Sequence, residues 1–185
     1  MKSNIVLIGM PGSGKSTVGV LLAKQLSLGF IDTDLLIQSR EGRALQQIVD
    51  CDGYLALRRI EEEVLLALQC RDHVIATGGS AAYSMAAMQH LKANGTAVFL
   101  HADLVTLKQR VHDYAIRGLA KRPDQTLADL FAERFSLYQQ YADITIDSCG
   151  LNHEEVCCRI VAELQHFKKH SISRLPIEKL HANQL

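Results

Sequence analysis

The chain has 185 residues, 48% of them hydrophobic, with 20 Lys and Arg balanced by 20 Asp and Glu. That length carries one ordinary domain with a sizeable core and is short for two, and the apolar share is that of a soluble globular protein. A formal net charge of zero excludes broad electrostatic capture of nucleic acid or of an anionic membrane, which needs a clustered basic face.

The N-terminal "MKSNIVLIGMPGSG" pairs a lysine with an apolar run of only about five residues, below the roughly 7 to 15 of a signal-peptide core. It reads better as a buried strand. No run approaches the roughly 18 to 20 apolar residues of a membrane span. Five cysteines (Cys51, Cys70, Cys149, Cys157 and Cys158), odd in number and without CxxC spacing, point to reduced thiols in the cytoplasm. The eight histidines lack HExxH or paired-ligand spacing, and no metal is assigned to them.

In chain order, "NIVLIG" (4–9) is a continuous apolar run stopped by glycine, as in a strand covered on both faces. "KSTVGVLLAKQL" places Val18, Leu21, Leu22 and Leu26 at helical spacing, and "GFID" is a second short strand ending at Asp32. A long helix follows through "YLALRRIEEEVLLALQ", striped by Leu57, Ile60, Val64, Leu65 and Leu68. "HVIAT" is a third strand and "TAVFL" (96–100) a fourth, with a helix through "SMAAMQHL" between them. "ITID" (144–147) is a fifth strand, and "HEEVCCRIVAELQHF" a closing helix. Strands alternating with helices predict crossover units and a parallel sheet. The segment "DYAIRGLAKRPDQT" (about 113–126) carries three cations and no apolar periodicity. The expected organisation is one domain over 1–167 and a loosely attached, polar tail over 168–185.

"GMPGSGKST" fits G-x-x-x-x-G-K-[ST] between a strand and a helix, the context that makes this motif a phosphate-binding loop. Glycines let the loop wrap an anion while successive N–H groups at a helix N-terminus point at it. Gly12, Ser13, Gly14, Lys15, Ser16 and Thr17 are therefore assigned to ATP. Lys15 is placed toward the β- and γ-phosphates, and the Ser16 hydroxyl toward Mg²⁺. No N-K-x-D segment for guanine follows, and the chain is short for a motor ATPase. A compact small-molecule kinase is the leading class.

"IDTDLLI" sets Asp32 and Asp34 at the carboxyl end of the second strand, the edge where open α/β sheets bind ligands. A carboxylate near Mg²⁺ and a second near an acceptor hydroxyl suit phosphoryl transfer, whereas helix capping is the alternative for Asp34.

"GMPGSGKST", "FIDTD", "GYLALRRIE", "VIATGG" and "ERFSLYQQYADITID" stand in the order and approximate spacing of the shikimate kinase family, which the chain resembles from about residue 4 to 147. The resemblance implies a three-layer P-loop kinase fold, with a five-stranded parallel sheet flanked by helices and a mobile lid. It implies phosphoryl transfer from ATP, with Mg²⁺, to a hydroxyl of a small carboxylate, most specifically shikimate. In that family, residues matching Asp34 and Asp32 serve as base and as Mg²⁺ holder. Those matching Arg58 and Arg134 grip the substrate carboxylate, a task suited to planar guanidinium groups. Taken alone, Arg58 also reads as a solvated helix residue paired with Glu61 or Glu62, and Arg134 as an exposed helix position. The match to Arg110 packs near the adenine. For the lid cation, which helps exclude water, Arg122 before Pro123 is the natural match and Arg117 before Gly118 its rival.

The departures lie on the acceptor side. Gly78-Gly79-Ser80 replaces G-G-G, so that a Cβ and hydroxyl are expected to narrow the acceptor space and add a donor. Tyr54 stands where the family has glutamate, and the lid reads R-P-D-Q instead of R-P-L-L. Two rival readings are a paralogue acting on another hydroxy acid or polyol, and a non-catalytic nucleotide-binding protein. A monomer, with neither nucleic-acid nor membrane partner, is expected.

Overall fold

The structure is a computed structural model and describes residues 2–110 and 118–173. Five parallel strands form one sheet: β1 (Asn4–Ile8), β2 (Gly29–Asp32), β3 (His73–Ala76), β4 (Gly95–His101) and β5 (Ile144–Asp147), in the order β2-β3-β1-β4-β5. β1 is central, with Ile5 opposite Val74 on one side and Thr96 on the other.

Side chains on a strand alternate between faces, and β1 shows why both must be apolar. Val6 and Ile8 enter a core with Met88, Leu91, Phe99 and Tyr138. Ile5 and Leu7 enter the opposite one with Val18, Leu22, Val98 and Ile160. Helices cover the two faces, giving the expected three layers: α1 (Lys15–Leu26) and α8 (His153–Ser173) pack together on the second core, while α5 (Met85–Asn94) and α7 (Leu127–Tyr141) contribute to the first. A third core gathers Ile37, Ile48, Leu57, Ile60 and Val64 from α2 (Thr33–Glu41), α3 (Leu45–Asp52) and α4 (Tyr54–Ala67). Ala120 closes that core from the segment before α7.

The predicted strands all form. The helices of the third core are less evident in the sequence, because α3 is an eight-residue helix placed between two glycines, Gly42 and Gly53, that adopt positive φ at helix ends. A short helix α6 (Leu104–Arg110) follows β4. Thr126 opens α7 by accepting the Asp129 N–H, while Asp129 accepts from Thr126 N–H. α8 continues past Phe167 to Ser173. Among the described residues, no helix is long and apolar enough to cross a membrane.

The order of the strands decides where a site can form. From β1 the chain crosses to edge strand β2 and returns to β3, then passes to the other side of β1. Beyond the carboxyl ends of these strands lies a crevice that receives the loop after β1, Asp34 after β2, and Thr77 to Ser80 after β3.

Candidate active site

A cavity of about 710 Å³ occupies this crevice, bordered by the β1–α1 loop, α2, α4, the residues after β3, Gly118 to Ala120 and α7. At its phosphate-binding end the loop is held by Ser13 N–H bonding to the Met10 carbonyl at 3.0 Å. Gly12 and Gly14 have φ of 87° and 96°, values that side-chain-bearing residues rarely adopt. Gly12, Gly14, Ser16 and Thr17 border the cavity. Lys15 is buried, and its Nζ donates to the carbonyls of Gly9 (2.8 Å) and Met10 (2.9 Å). Burial lowers its pKa to about 8, an effect that nearby Asp34 opposes.

Arg110, from α6, bridges the loop to the turn after β5. It donates to Ser148 O at 3.1 Å and Ser13 O at 3.5 Å. His153, at the start of α8, borders the same end of the cavity.

The two aspartates divide roles differently from the capping alternative. Asp32 is the α2 N-cap, its Oδ1 accepting the Asp34 N–H at 3.0 Å, while Asp34 lies in the first turn and borders the cavity. Burial raises the Asp34 pKa, against the pull of Lys15. The capping function thus falls to Asp32, and Asp34 borders the cavity instead.

The glycines after β3 allow close approach to charged groups. A Cβ on Gly78 would collide with Glu61 Oε1 and lie 2.6 Å from Asp34 Oδ1. One on Gly79 would lie 2.6 Å from Arg134 Nη1 and 2.7 Å from the Pro11 ring. The Gly79 carbonyl is anchored by the Tyr138 hydroxyl at 2.6 Å. Ser80 is buried and donates its hydroxyl to Glu61 Oε2, so the donor expected in the acceptor space is spent on a side chain of α4.

Arg58 and Arg134 converge from α4 and α7. Each donates an Nη2 hydrogen to the Ala120 carbonyl, at 3.1 and 3.0 Å, and each has a buried Nε without a partner among the described residues. Arg134 is 1% exposed, so it is not a surface helix residue. Arg58 does not pair with Glu61 or Glu62 either. Its guanidinium lies 3.5 Å from the Tyr83 ring centroid and 5.2 Å from that of Tyr54. Tyr54 thus flanks Arg58 where the family has glutamate.

Glu61 is the buried, cavity-lining acid that the sequence did not single out. It is 3% exposed and borders the cavity with Asp34, Lys15 and Arg134. Burial and the Asp34 charge push its pKa up to about 7. From sequence it resembled one more acid on a solvated helix face, since burial cannot be read from i, i+3 spacing to Arg58. The lid candidates separate as well. Arg122 is half exposed, lies 3.4 Å from Glu133 and does not border the cavity. Arg117 lies outside the described residues, whereas Gly118, Leu119 and Ala120 border the cavity.

A loop built to wrap phosphate, a buried lysine with carboxylates beside it, and the Arg134 guanidinium across the same cavity, with Arg58 joined to it through Ala120, define a P-loop phosphotransferase for a small acceptor. The family model for shikimate kinase matches residues 11–165. The chain is 41% identical over 167 residues to the shikimate kinase of Mycobacterium avium, covering 89% of this chain and 94% of that one. It is 39% identical over 166 residues to that of Halorhodospira halophila, covering 88% and 94%. Among solved structures, the shikimate kinase of Acinetobacter baumannii in complex with shikimate superposes with a TM-score of 0.82 at 30% identity, covering 89% of this chain and 93% of that one. That of Aquifex aeolicus gives 0.75 at 37% identity, covering 88% and 96%. The chain belongs to the shikimate kinase family.

Proposed function

We propose that this protein transfers the γ-phosphoryl group of ATP to the 3-hydroxyl of shikimate. The single observation that carries the reading is that Asp34 and Arg134 line one cavity with the phosphate-binding loop, while Arg58 reaches the edge of that cavity by sharing with Arg134 the carbonyl of cavity-lining Ala120. One cavity can then hold an acceptor by its carboxylate and present a hydroxyl to the nucleotide.

The loop N–H groups and Lys15 hold the phosphates, Lys15 exchanging its two carbonyl partners for phosphate oxygens. Asp34 accepts the proton of the attacking hydroxyl, a task helped by a burial-raised pKa. Arg58 and Arg134 bind the carboxylate in place of the Ala120 carbonyl, with the Gly79 backbone against the ring. Gly78 and Ser80 complete that wall, and Arg110 flanks the adenine.

The Ser16 hydroxyl borders the phosphate end of the cavity and the Asp32 carboxylate lies near enough to act on the charge of Lys15, so both are hard oxygen donors that fit Mg²⁺. Bound there with ATP, Mg²⁺ would neutralise phosphate charge. Of the two lid cations, Arg117 is favoured because it directly precedes cavity-lining Gly118, whereas Arg122 is engaged by Glu133. The reading places the protein in the cytoplasm as a monomer.

Coupled ADP release, measured across shikimate, quinate and a panel of hydroxy acids and sugars, tests this. Shikimate should give the highest kcat/KM, with phosphorus NMR showing one new monoester at the 3-position. Faster turnover of a different acceptor would replace shikimate as the substrate.

A further inference from the structure

Ser80 has an unusual position for a residue whose family counterpart is glycine. Its φ of −103° and ψ of 1° lie within reach of any L-residue, so the backbone sets no demand for either glycine or serine. The hydroxyl is buried at 7% exposure and donates to Glu61 Oε2. The other carboxylate oxygen, Glu61 Oε1, is buried without a partner among the described residues. It presses on the same point beside Gly78 as Asp34 Oδ1, where a Cβ would meet both oxygens.

We infer that Ser80 is a positioning residue: it ties down one oxygen of Glu61 so that the other stands free beside Asp34 as an acceptor for a second hydroxyl of the substrate. This deepens the proposed function and rests on its small, polyhydroxylated acceptor. An orphan buried carboxylate oxygen bordering a cavity is costly unless a ligand donor reaches it, which a vicinal diol would supply. Without the Ser80 hydroxyl, Glu61 would be free to turn its carboxylate, and the second acceptor would lose its aim.

The charged surroundings make the link readable by pH. Glu61 faces Ser80, Asp34 from α2, Lys15 from α1 and Arg134 from α7, with Arg58 one turn earlier on its own helix. Asp34 disfavours the Glu61 carboxylate, while Ser80, Arg134 and Lys15 favour it. Loss of the Ser80 hydroxyl must therefore raise the pH at which Glu61 ionises.

The test compares wild type, Ser80→Ala, Ser80→Thr, Glu61→Ala and the Ser80→Ala/Glu61→Ala double variant. Steady-state kinetics with shikimate and ATP from pH 5.5 to 8.5 are combined with carboxyl-carbon NMR titration of the enzymes without substrate. Ser80→Ala should raise KM for shikimate about tenfold with KM for ATP unchanged, the scale of one hydrogen bond to a charged group. It should also move the acidic limb of kcat/KM and the Glu61 NMR midpoint upward together, by about one pH unit. Ser80→Thr should restore both, and Ser80→Ala should add nothing in the Glu61→Ala background, where Ser80 has no side-chain acceptor left to hold. An unmoved NMR midpoint, or an undiminished Ser80→Ala penalty without Glu61, overturns the role of Ser80. A shifted midpoint in an enzyme that does not turn over shikimate would instead overturn the acceptor assignment and leave the Ser80–Glu61 coupling standing.

Discussion

Replacing Glu61 by glutamine should make the protein more stable while making it a poorer enzyme, and the stability gain should grow with pH. Glu61 is 3% exposed, and in the folded protein its pKa rises from an ordinary 4.5 to about 7, chiefly through burial and secondarily through Asp34. The folded state thus holds this proton more tightly than the unfolded chain does. Below about pH 4.5 both states keep the proton and nothing is lost. Between 4.5 and 7 the unfolded chain releases it while the folded protein retains it, so stability falls as pH rises. Above 7 the fold must bury a charge and the deficit is complete. At about 1.36 kcal/mol per pH unit, the gap from 4.5 to about 7 amounts to about 3 kcal/mol. Glutamine keeps the shape, can still accept from Ser80 and has no proton to lose. Urea denaturation of both proteins from pH 4.5 to 8 measures the difference directly. The curves should coincide near pH 4.5, apart from a constant offset, and diverge to about 3 kcal/mol by pH 8 with equal m-values. A difference that stays constant across this range would refute the argument.

Asp34→Asn should depress kcat with shikimate by on the order of 10² or more while leaving KM for ATP nearly unchanged, as expected for loss of an acid–base group; turnover near the wild-type value would remove Asp34 from the chemistry. Arg134→Lys keeps the charge but loses the planar fork, so KM for shikimate should rise at least about tenfold against an unchanged KM for ATP. Equal movement of the two constants would show that Arg134 serves the fold and not the carboxylate. Arg122→Ala should leave kcat within about twofold of wild type, because its partner Glu133 remains bonded to Tyr83 and Gln125, whereas Arg117→Ala should lower kcat by on the order of 10³. The reverse ranking would return the lid function to Arg122.

Much of the site was legible because it is local. The phosphate-binding loop is set by glycines with positive φ and by the lysine that follows them, all within one turn of chain. The central strands were legible because a strand buried on both faces reads as a continuous apolar run, as β1 does from Ile5 to Ile8. Asp34 and Arg58 were found at strand-end and helix positions that the family resemblance marked. Their surroundings were not. Asp32, and not Asp34, caps α2, a distinction that depends on which carboxylate turns back to the N–H.

Local sequence alone therefore determined the alternating strands and helices of a parallel sheet and the phosphate end of the site, since both follow from periodicity and from backbone conformations that only certain residues allow. The acceptor end was decided by tertiary packing. Glu61 and Arg134 occupy helix positions whose sequence spacing is indistinguishable from that of a solvated, ion-paired surface. They become buried only because α4 and α7 close over Gly78 and Gly79, residues small enough to let those charged groups approach. Whether Ser80 obstructs the substrate or secures Glu61 depends on the direction of one hydroxyl, which no residue near it in sequence specifies. Burial and contact between residues 19 positions apart are properties of the packed chain.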